Sequence, residues 1–171
     1  GKPFDEIYDL MAVRVIVARA RLMAPLAGRG RMVSVQLSAA EALRVIESET
    51  ADLAVAAMNG PNATVLSGER SALERAVRGL EARGVSCRWV PVDYAFHSPQ
   101  MGPLRGPLVQ ALDGLTARLP DLSLVSTVTG ELARAGDFGA AYWGRNIHEP
   151  VNLVAAVQTM VGLGVTTFVE I

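Results

Sequence analysis

His97 is the residue whose type and position most directly suggest chemistry. Only two histidines, His97 and His148, occur among the 171 residues, and the first follows an apolar run in the stretch VDYAFHSPQM, residues 92–101. Because Phe96 and Pro99 flank it, its imidazole is expected to be partly removed from water and neutral near pH 7, which suits a general base. The alternative is a histidine that is hydrogen-bonded within its own loop.

Arg19 is the second candidate, because its predicted position is unusual for a cation. Residues 5–23 are apolar nearly all round a predicted helix, which indicates a buried element. At about 100° per residue, Arg14 and Arg21 share one side of this helix, whereas Arg19 lies on an apolar side near Val15. A buried arginine needs a partner. The sequence leaves open whether that partner is an internal carboxylate or an anionic ligand.

The composition bounds the function classes. Half of the residues are hydrophobic, 19% are charged and the net charge is −1, so no basic surface predicts binding to nucleic acid or to an anionic membrane. The single cysteine, Cys87, excludes an internal disulfide and fits a reducing cytosol. The sequence has neither a signal-peptide layout nor an uninterrupted apolar run of membrane length. We therefore expect a soluble, cytoplasmic chain.

The elements that position these residues start with a regular pattern between residues 32 and 93. Strands are predicted at 32–38, 52–58, 63–68 and 87–93. Ser38 and Glu41 have capping-box spacing at the start of a helix that runs to Ser48, and Gly84 is expected as the left-handed cap of a second helix. The order strand, helix, strand, strand, helix, strand is that of ferredoxin-like units. It predicts a four-stranded antiparallel sheet with both helices on one face.

The remaining pattern is less regular. A helix is predicted at 103–118, a strand at 122–130, a loop at 131–150, a helix from Pro150 to about 162 and a buried strand at 165–171. His148 lies in the predicted loop and is expected at the surface or at a helix cap. Because the sequence ends on an apolar strand without a turn, we expect it to be part of a longer protein.

Five stretches together resemble the acyltransferase domain of modular polyketide synthases, which is related to malonyl-CoA:acyl-carrier-protein transacylase. In order, they are VRVIVARARLMAPLAGRGRMVSV, VAAMNGPNATVLSG, VDYAFHSPQM, STVTGE and YWGRNIHEPV. The resemblance runs from about residue 6 to Ile171, the C-terminal two-thirds of such a domain. It implies an α/β fold with an α+β insert: a ferredoxin-like βαββαβ subdomain at 32–93, attached to part of an α/β-hydrolase-like core formed by 1–31 and 94–171.

The resemblance also implies roles for single residues. His97 falls on the family's catalytic histidine, and Arg19 falls on the arginine that binds the free carboxylate of a malonyl-type acyl group, which a guanidinium can hold bidentately. In the family a backbone carbonyl orients the histidine, and by motif position that carbonyl belongs to Asn146. Further substrate-binding residues are expected at Asn59, Tyr94 and Phe96.

The reaction implied is a ping-pong transfer by the complete domain. His97 would deprotonate a serine that attacks malonyl-CoA or methylmalonyl-CoA, and the phosphopantetheine thiol of an acyl carrier protein would then take the acyl group. No metal or redox cofactor is implied. The family's serine lies in a G-H-S-x-G elbow upstream of the arginine helix, and no serine from Ser34 to Ser126 has the flanking glycines.

Two expectations follow from the missing elbow and from the motif around the histidine. The chain alone is expected to be inactive and to work with the remainder of a polyketide synthase module. The alternative is a non-catalytic remnant or docking module that binds a carrier protein or a separate acyltransferase. The tetrapeptide YAFH, residues 94–97, mixes the family's malonyl pattern HAFH with its methylmalonyl pattern YASH. Because Phe96 adjoins the base and leaves little room for a methyl branch, it favours malonyl.

Overall fold

The computed structural model describes residues 4–48, 53–117 and 121–170. Its strands are β1 Gly30–Val35, β2 Leu53–Gly60, β3 Ala63–Glu69, β4 Cys87–Trp89 and β5 Val151–Asn152. Its helices are α1 Phe4–Met23, α2 Ala39–Ser48, α3 Arg70–Glu81, α4 Arg105–Ala111, α5 Ala140–Asn146 and α6 Leu153–Gly162, with short 3-10 helices at Ala24–Leu26 and Pro99–Leu104.

The strands form one sheet in the order β4-β1-β3-β2-β5. β1 pairs with β3 and β4, and β2 pairs with β3, all antiparallel as the sequence predicts. The expected four strands are joined by a fifth, because β5 pairs in parallel with β2 through Ala57–Val151 and Met58–Asn152. A two-residue strand has no periodicity of its own, so sequence patterning could not predict it.

Helices α2 and α3 both pack on one face of the sheet. Their buried side chains share one cluster with alternate residues of the strands: Val33, Val35, Leu37, Ala42, Leu53, Val55, Leu66, Ala72, Leu73, Ala76, Val77 and Leu80. The predicted capping box is formed, since Ser38 N donates to the Glu41 carboxylate at 2.9 Å and Glu41 N donates to Ser38 Oγ at 3.3 Å. Gly84 has a φ of +77°, as a left-handed cap requires.

The opposite face of the sheet carries the chain that leads to His97. Met32, Ala56, Ala57 and Val65 form a second buried cluster, against which Val90, Val92, Phe96 and Val151 pack. Gly30 permits the closest approach, because a Cβ at this position would lie 2.4 Å from Ala95 Cβ. The segment after β4 is therefore pressed directly onto the backbone of β1.

Helix α1 packs on α4 and α5 along a single stripe. Val15, Leu108, Leu112 and Ile147 form this third buried cluster. The expectation that α1 is buried nearly all round is wrong for its described side chains, since Val13 is 51% exposed and Ile16 is 64% exposed. Within residues 4–48, 53–117 and 121–170, none of the helices combines the length and apolar character that a membrane crossing requires.

Two predictions for residues 103–130 are wrong. The helix expected at 103–118 starts as the 3-10 turn Pro99–Leu104, and its α-helical part already ends at Ala111. The strand expected at 122–130 is reduced to an isolated bridge between Val125 and Leu132. In this segment Ser126 Oγ accepts the amides of Val128 and Thr129, which turns the chain locally in place of a ladder.

The last 40 residues differ from prediction in three places. The expected loop at 131–150 contains α5, and α6 begins at Leu153 with the Asn152 side chain as its cap rather than at Pro150. Residues 165–170 are not a strand, although they are apolar, and they are exposed. No neighbouring strand of the described residues pairs with them, so their apolar pattern alone does not make them extended sheet.

Candidate active site

Backbone hydrogen bonds with β1 and with the residues just before it hold the segment that leads to His97. Val90 N donates to Met32 O at 3.0 Å, and Gly28 N donates to Asp93 O at 2.8 Å, so the segment after β4 runs along the first strand. His97 itself has a φ of +56° and is the only residue other than glycine with a positive φ in the part of the chain that the structure describes. This left-handed conformation costs roughly 1–2 kcal/mol for a residue with a Cβ.

Ser98 closes the turn behind the histidine. It is 2% exposed, donates from Oγ to Ala95 O at 2.7 Å and accepts Gln100 N at 3.3 Å, which caps the 3-10 helix Pro99–Leu104. The strained residue is thus held between a buried alanine and a buried serine. Strain of this kind is retained where surrounding structure fixes the geometry of a site.

The ring of His97 is oriented by a backbone carbonyl. Its Nδ1 lies 2.8 Å from Glu149 O. Because a carbonyl oxygen can only accept, Nδ1 carries the proton and Nε2 keeps its lone pair, which is the tautomer a general base needs. The orienting carbonyl predicted at Asn146 is therefore wrong: the chain makes one further turn after α5 before a carbonyl faces the ring.

The surroundings of His97 favour its neutral form. Burial is the main cause that lowers its pKa, and the positive charge of Arg19 and the proximity of His148 lower it further. The hydrogen bond to Glu149 O acts in the opposite direction and raises the pKa, but it does not offset the burial. Because the pKa lies below the ordinary value of 6.5, the imidazole is mostly neutral at pH 7 and available as a base.

Asn146 instead holds Arg19. Its Oδ1 accepts a hydrogen bond from Arg19 Nη1. The guanidinium is half-buried, and burial lowers its pKa, although an arginine stays charged at neutral pH. Among the described side chains no carboxylate lies within ion-pair distance of it, so the internal salt bridge considered from the sequence is not formed there. An amide on one nitrogen leaves the remaining donors of the fork able to bind an anion.

Arg145 and Glu149 form an ion pair that the sequence analysis missed. Arg145 Nε lies 2.9 and 3.0 Å from the two carboxylate oxygens, and Nη2 lies 2.9 Å from Oε2. These bonds lower the pKa of Glu149 and raise that of Arg145. Their spacing of four residues was the available signal, since i,i+4 pairs of opposite charge face each other on a helix.

The other predicted residues lie around this centre. Tyr94 and Phe96 stack with ring centroids 5.2 Å apart and an interplanar angle of 20°, and both are partly exposed. Asn59 is exposed near the end of β2 and is hydrogen-bonded to none of the other predicted site residues. His148 Nδ1 lies 3.0 Å from Gly144 O, which confirms a capping role at the end of α5.

Comparisons with known proteins agree on one family. Residues 6–171 match the family model described as acyl transferase domain. Polyketide synthase GfsE of Streptomyces halstedii is 42% identical over 159 residues, which are 92% of this chain but 4% of that protein. The chain therefore spans a small fraction of the length of this relative.

Solved structures give the same result at the level of the fold. The acyltransferase domain from module 8 of the salinomycin polyketide synthase matches with a TM-score of 0.85 and 38% identity, covering 90% of this chain and 36% of that one. A loading acyltransferase from the avermectin modular polyketide synthase matches with a TM-score of 0.83 and 36% identity, covering 90% and 49%.

Proposed function

The chain belongs to the acyl transferase domain family, and from this premise we propose that it is part of a polyketide synthase acyltransferase. In this proposal the complete domain loads a malonyl-type extender unit from CoA onto an acyl carrier protein through an acyl-serine intermediate. The observation that carries the proposal is the presence of a neutral, oriented His97 near Arg19, a cation whose hydrogen-bond partner among the described side chains is the amide of Asn146.

The proposed architecture follows the same premise. Residues 32–93 are assigned to a ferredoxin-like subdomain, and 1–31 with 94–171 to the larger α/β-hydrolase-like core. The order β4-β1-β3-β2, with α2 and α3 on one face, supports the first assignment. The serine elbow and the oxyanion hole are assigned to a segment outside this sequence.

In the proposed reaction His97 Nε2 takes the proton of the serine hydroxyl as its oxygen bonds to the thioester carbon. The carbon–sulfur bond then breaks, and the imidazolium returns the proton to the CoA thiolate. In the second half the carrier thiol gives its proton to Nε2, its sulfur bonds to the acyl carbon, and the serine oxygen leaves with that proton. The Glu149 carbonyl stabilises the imidazolium that forms twice. No metal or redox cofactor is needed.

Arg19 is proposed to select diacid thioesters. A malonyl carboxylate can accept two bonds from the guanidinium, whereas an acetyl group would leave this half-buried cation with its amide partner alone. Asn146 holds the guanidinium from the side. Further substrate contacts are proposed for Asn59, Tyr94 and Phe96, with malonyl-CoA preferred over methylmalonyl-CoA because of the phenyl ring beside His97.

The test is a fusion in which the serine-bearing segment of the salinomycin module 8 acyltransferase precedes this chain. We expect malonyl transfer from malonyl-CoA to a carrier protein, a loss of at least about 100-fold in His97→Ala, and a shift toward acetyl in Arg19→Ala. Arg14→Ala is the matched control, because Arg14 lies on the same helix and donates to Ala111 O and Asp113 O.

The outcome can also reject the proposal. A folded fusion that binds the carrier protein without transferring an acyl group would support the non-catalytic docking module instead. Transfer that is equal in His97→Ala and the parent would exclude His97 as the base.

A further inference from the structure

We propose that the ion pair between Arg145 and Glu149 is a positioning device that sets the ring orientation and tautomer of His97. The inference rests on the proposed function, in which His97 is the base. Neither residue would touch the substrate. Both would act through the one backbone carbonyl that His97 contacts.

Glu149 is anchored to Arg145 at both of its ends. Its carboxylate accepts Nε at 2.9 and 3.0 Å and lies 2.9 Å from Nη2, and its backbone amide donates to Arg145 O at 2.9 Å. These contacts fix the residue like one further helical turn after α5. The polar group that stays free of Arg145 is the Glu149 carbonyl, which meets His97 Nδ1 at 2.8 Å.

The chain leaves the helical conformation directly after the residue that carries this carbonyl. This stretch connects α5 to β5, and Pro150 follows Glu149 directly, so the backbone there must leave the helical conformation. Proline also has no amide hydrogen to fix the peptide plane. Without the Arg145 fork, the carbonyl could rotate away from the imidazole while α5 and β5 remain in place.

The exposure of the pair supports a geometric role over a stabilising one. The two side chains are 41% and 29% exposed. Ion pairs as accessible as this add little to the free energy of unfolding. Three short contacts to one guanidinium nevertheless restrict the position of the carboxylate and hence of the residue that carries it.

The experiment is nitrogen-15 NMR of the imidazole of His97 in the full chain, which distinguishes the Nδ1–H from the Nε2–H tautomer. We expect the parent to hold a single Nδ1–H tautomer and Arg145→Gln to show a mixture. The pKa of His97 should fall in that variant, because the hydrogen bond that raises it is weakened, while Arg19 and His148 continue to face the ring. An unchanged tautomer and pKa in Arg145→Gln would overturn the proposal.

Two further variants exclude a general structural effect. Arg134→Gln removes the exposed i,i+3 pair with Glu131 and should leave His97 unchanged. The exchanged pair Arg145→Glu with Glu149→Arg should restore the single tautomer. If Arg145→Gln does not fold, Arg145→Lys is measured in its place; it keeps the charge but not the fork, and a parent-like tautomer in it would overturn the proposal equally.

Activity separates this inference from the proposed function. In the fusion described above, Arg145→Gln should lower kcat about tenfold and leave the KM for malonyl-CoA unchanged, because the substrate contacts are intact. A fusion without any transfer would reject the proposed function, whereas the NMR result would still decide whether the ion pair orients His97.

Discussion

At the scale of single residues, the candidate site depends on how a neutral imidazole and a guanidinium are held. The His97 ring is fixed through a carbonyl and its backbone through a left-handed turn, while Arg19 is fixed through the Asn146 amide. His97 and Arg19 could be selected as candidates from residue type and position. Asn146 was assigned the wrong partner, because which carbonyl faces the ring depends on the turn after α5, and sequence periodicity does not define that turn.

The strained backbone of His97 gives a stability prediction. The free energy of unfolding of His97→Gly should exceed that of His97→Ala by about 1 kcal/mol, because glycine adopts a φ of +56° without the penalty of a Cβ. Urea titration of both variants measures the difference. As a control at Gln110 in α4, the alanine variant should instead be more stable than the glycine variant. A more stable His97→Ala would mean that the positive φ is not retained.

Phe96 gives a specificity prediction. In the serine-bearing fusion, Phe96→Ser should raise the use of methylmalonyl-CoA relative to malonyl-CoA by roughly tenfold, because removal of the ring makes room for a methyl branch. The measurement is competition between the two thioesters. Tyr94→Phe keeps the stacked ring and should change the ratio less than Phe96→Ser does. If the parent already prefers methylmalonyl-CoA, Phe96 is not the residue that excludes it.

At the scale of the elements, caps and close contacts define where each helix lies. Ser38 and Glu41 form the capping box at the start of α2. The carboxylate of Glu69 accepts Ala72 N and so caps the start of α3. The position of α5 depends instead on Gly144, whose role appears only in the packing. Local rules therefore predicted the helices on the sheet, whereas they missed α5, which packs on another helix within a stretch without clear periodicity.

Glu69 predicts a dependence of stability on pH. Its hydrogen bonds from Ser71, and then from Ala72 N, lower its pKa from 4.5 to about 2. Because the pKa is lower in the folded state, its contribution is present above pH 4.5 and is lost as the pH falls toward 2. The difference in unfolding free energy between the parent and Glu69→Gln should shrink across this range. Ser71→Ala should narrow this pH range, because it removes the hydrogen bond that lowers the Glu69 pKa most. A difference in unfolding free energy that does not change with pH would contradict the capping role of Glu69.

The close contact of α4 and α5 at Gly144 gives a prediction about packing. A Cβ there would lie 2.5 Å from Val109 Cγ2, so Gly144→Ala should destabilise the chain by about 1–3 kcal/mol. Val109→Ala should recover part of this loss in the double variant. Gly162→Ala is the matched control, because nothing lies within 4 Å of a Cβ at that position. Equal stability of Gly144→Ala and the parent would show that the helices can shift apart.

At the scale of the whole molecule, an apolar sequence pattern does not always correspond to buried side chains. The alternating apolar side chains of β1 to β3 are buried, because the helices that cover those strands belong to this chain. The apolar residues of α1 and of 165–170 were predicted to be buried, yet Ile16 is 64% exposed and Val169 is 80% exposed. Sequence patterning shows that a surface is apolar but not which part of a protein covers it.

The fusion offers a check at this scale. If the serine-bearing segment covers the exposed apolar residues of α1 and of 165–170, the fluorescence of the apolar dye ANS should fall several-fold per molecule relative to the isolated chain. The control is the same segment joined to a chain with Ile16→Lys and Val169→Lys, which should associate less well. Equal dye binding by the fusion and the isolated chain would show that those residues are not covered.

Strand β5 has a consequence for exchanging segments between related synthases. It lies just over 60 residues beyond the end of β4 in the chain, yet Val151 and Asn152 complete the edge of the sheet beside β2. A recombinant with crossovers near residues 30 and 93 would carry β1 to β4 from one parent and their fifth strand from the other. Because His97, Arg145 and Glu149 all lie after the second crossover, they would come from the same parent as β5, and only the sheet would be mixed. An inherited block that keeps all five strands from one parent therefore extends without a crossover from Gly30 to at least Asn152.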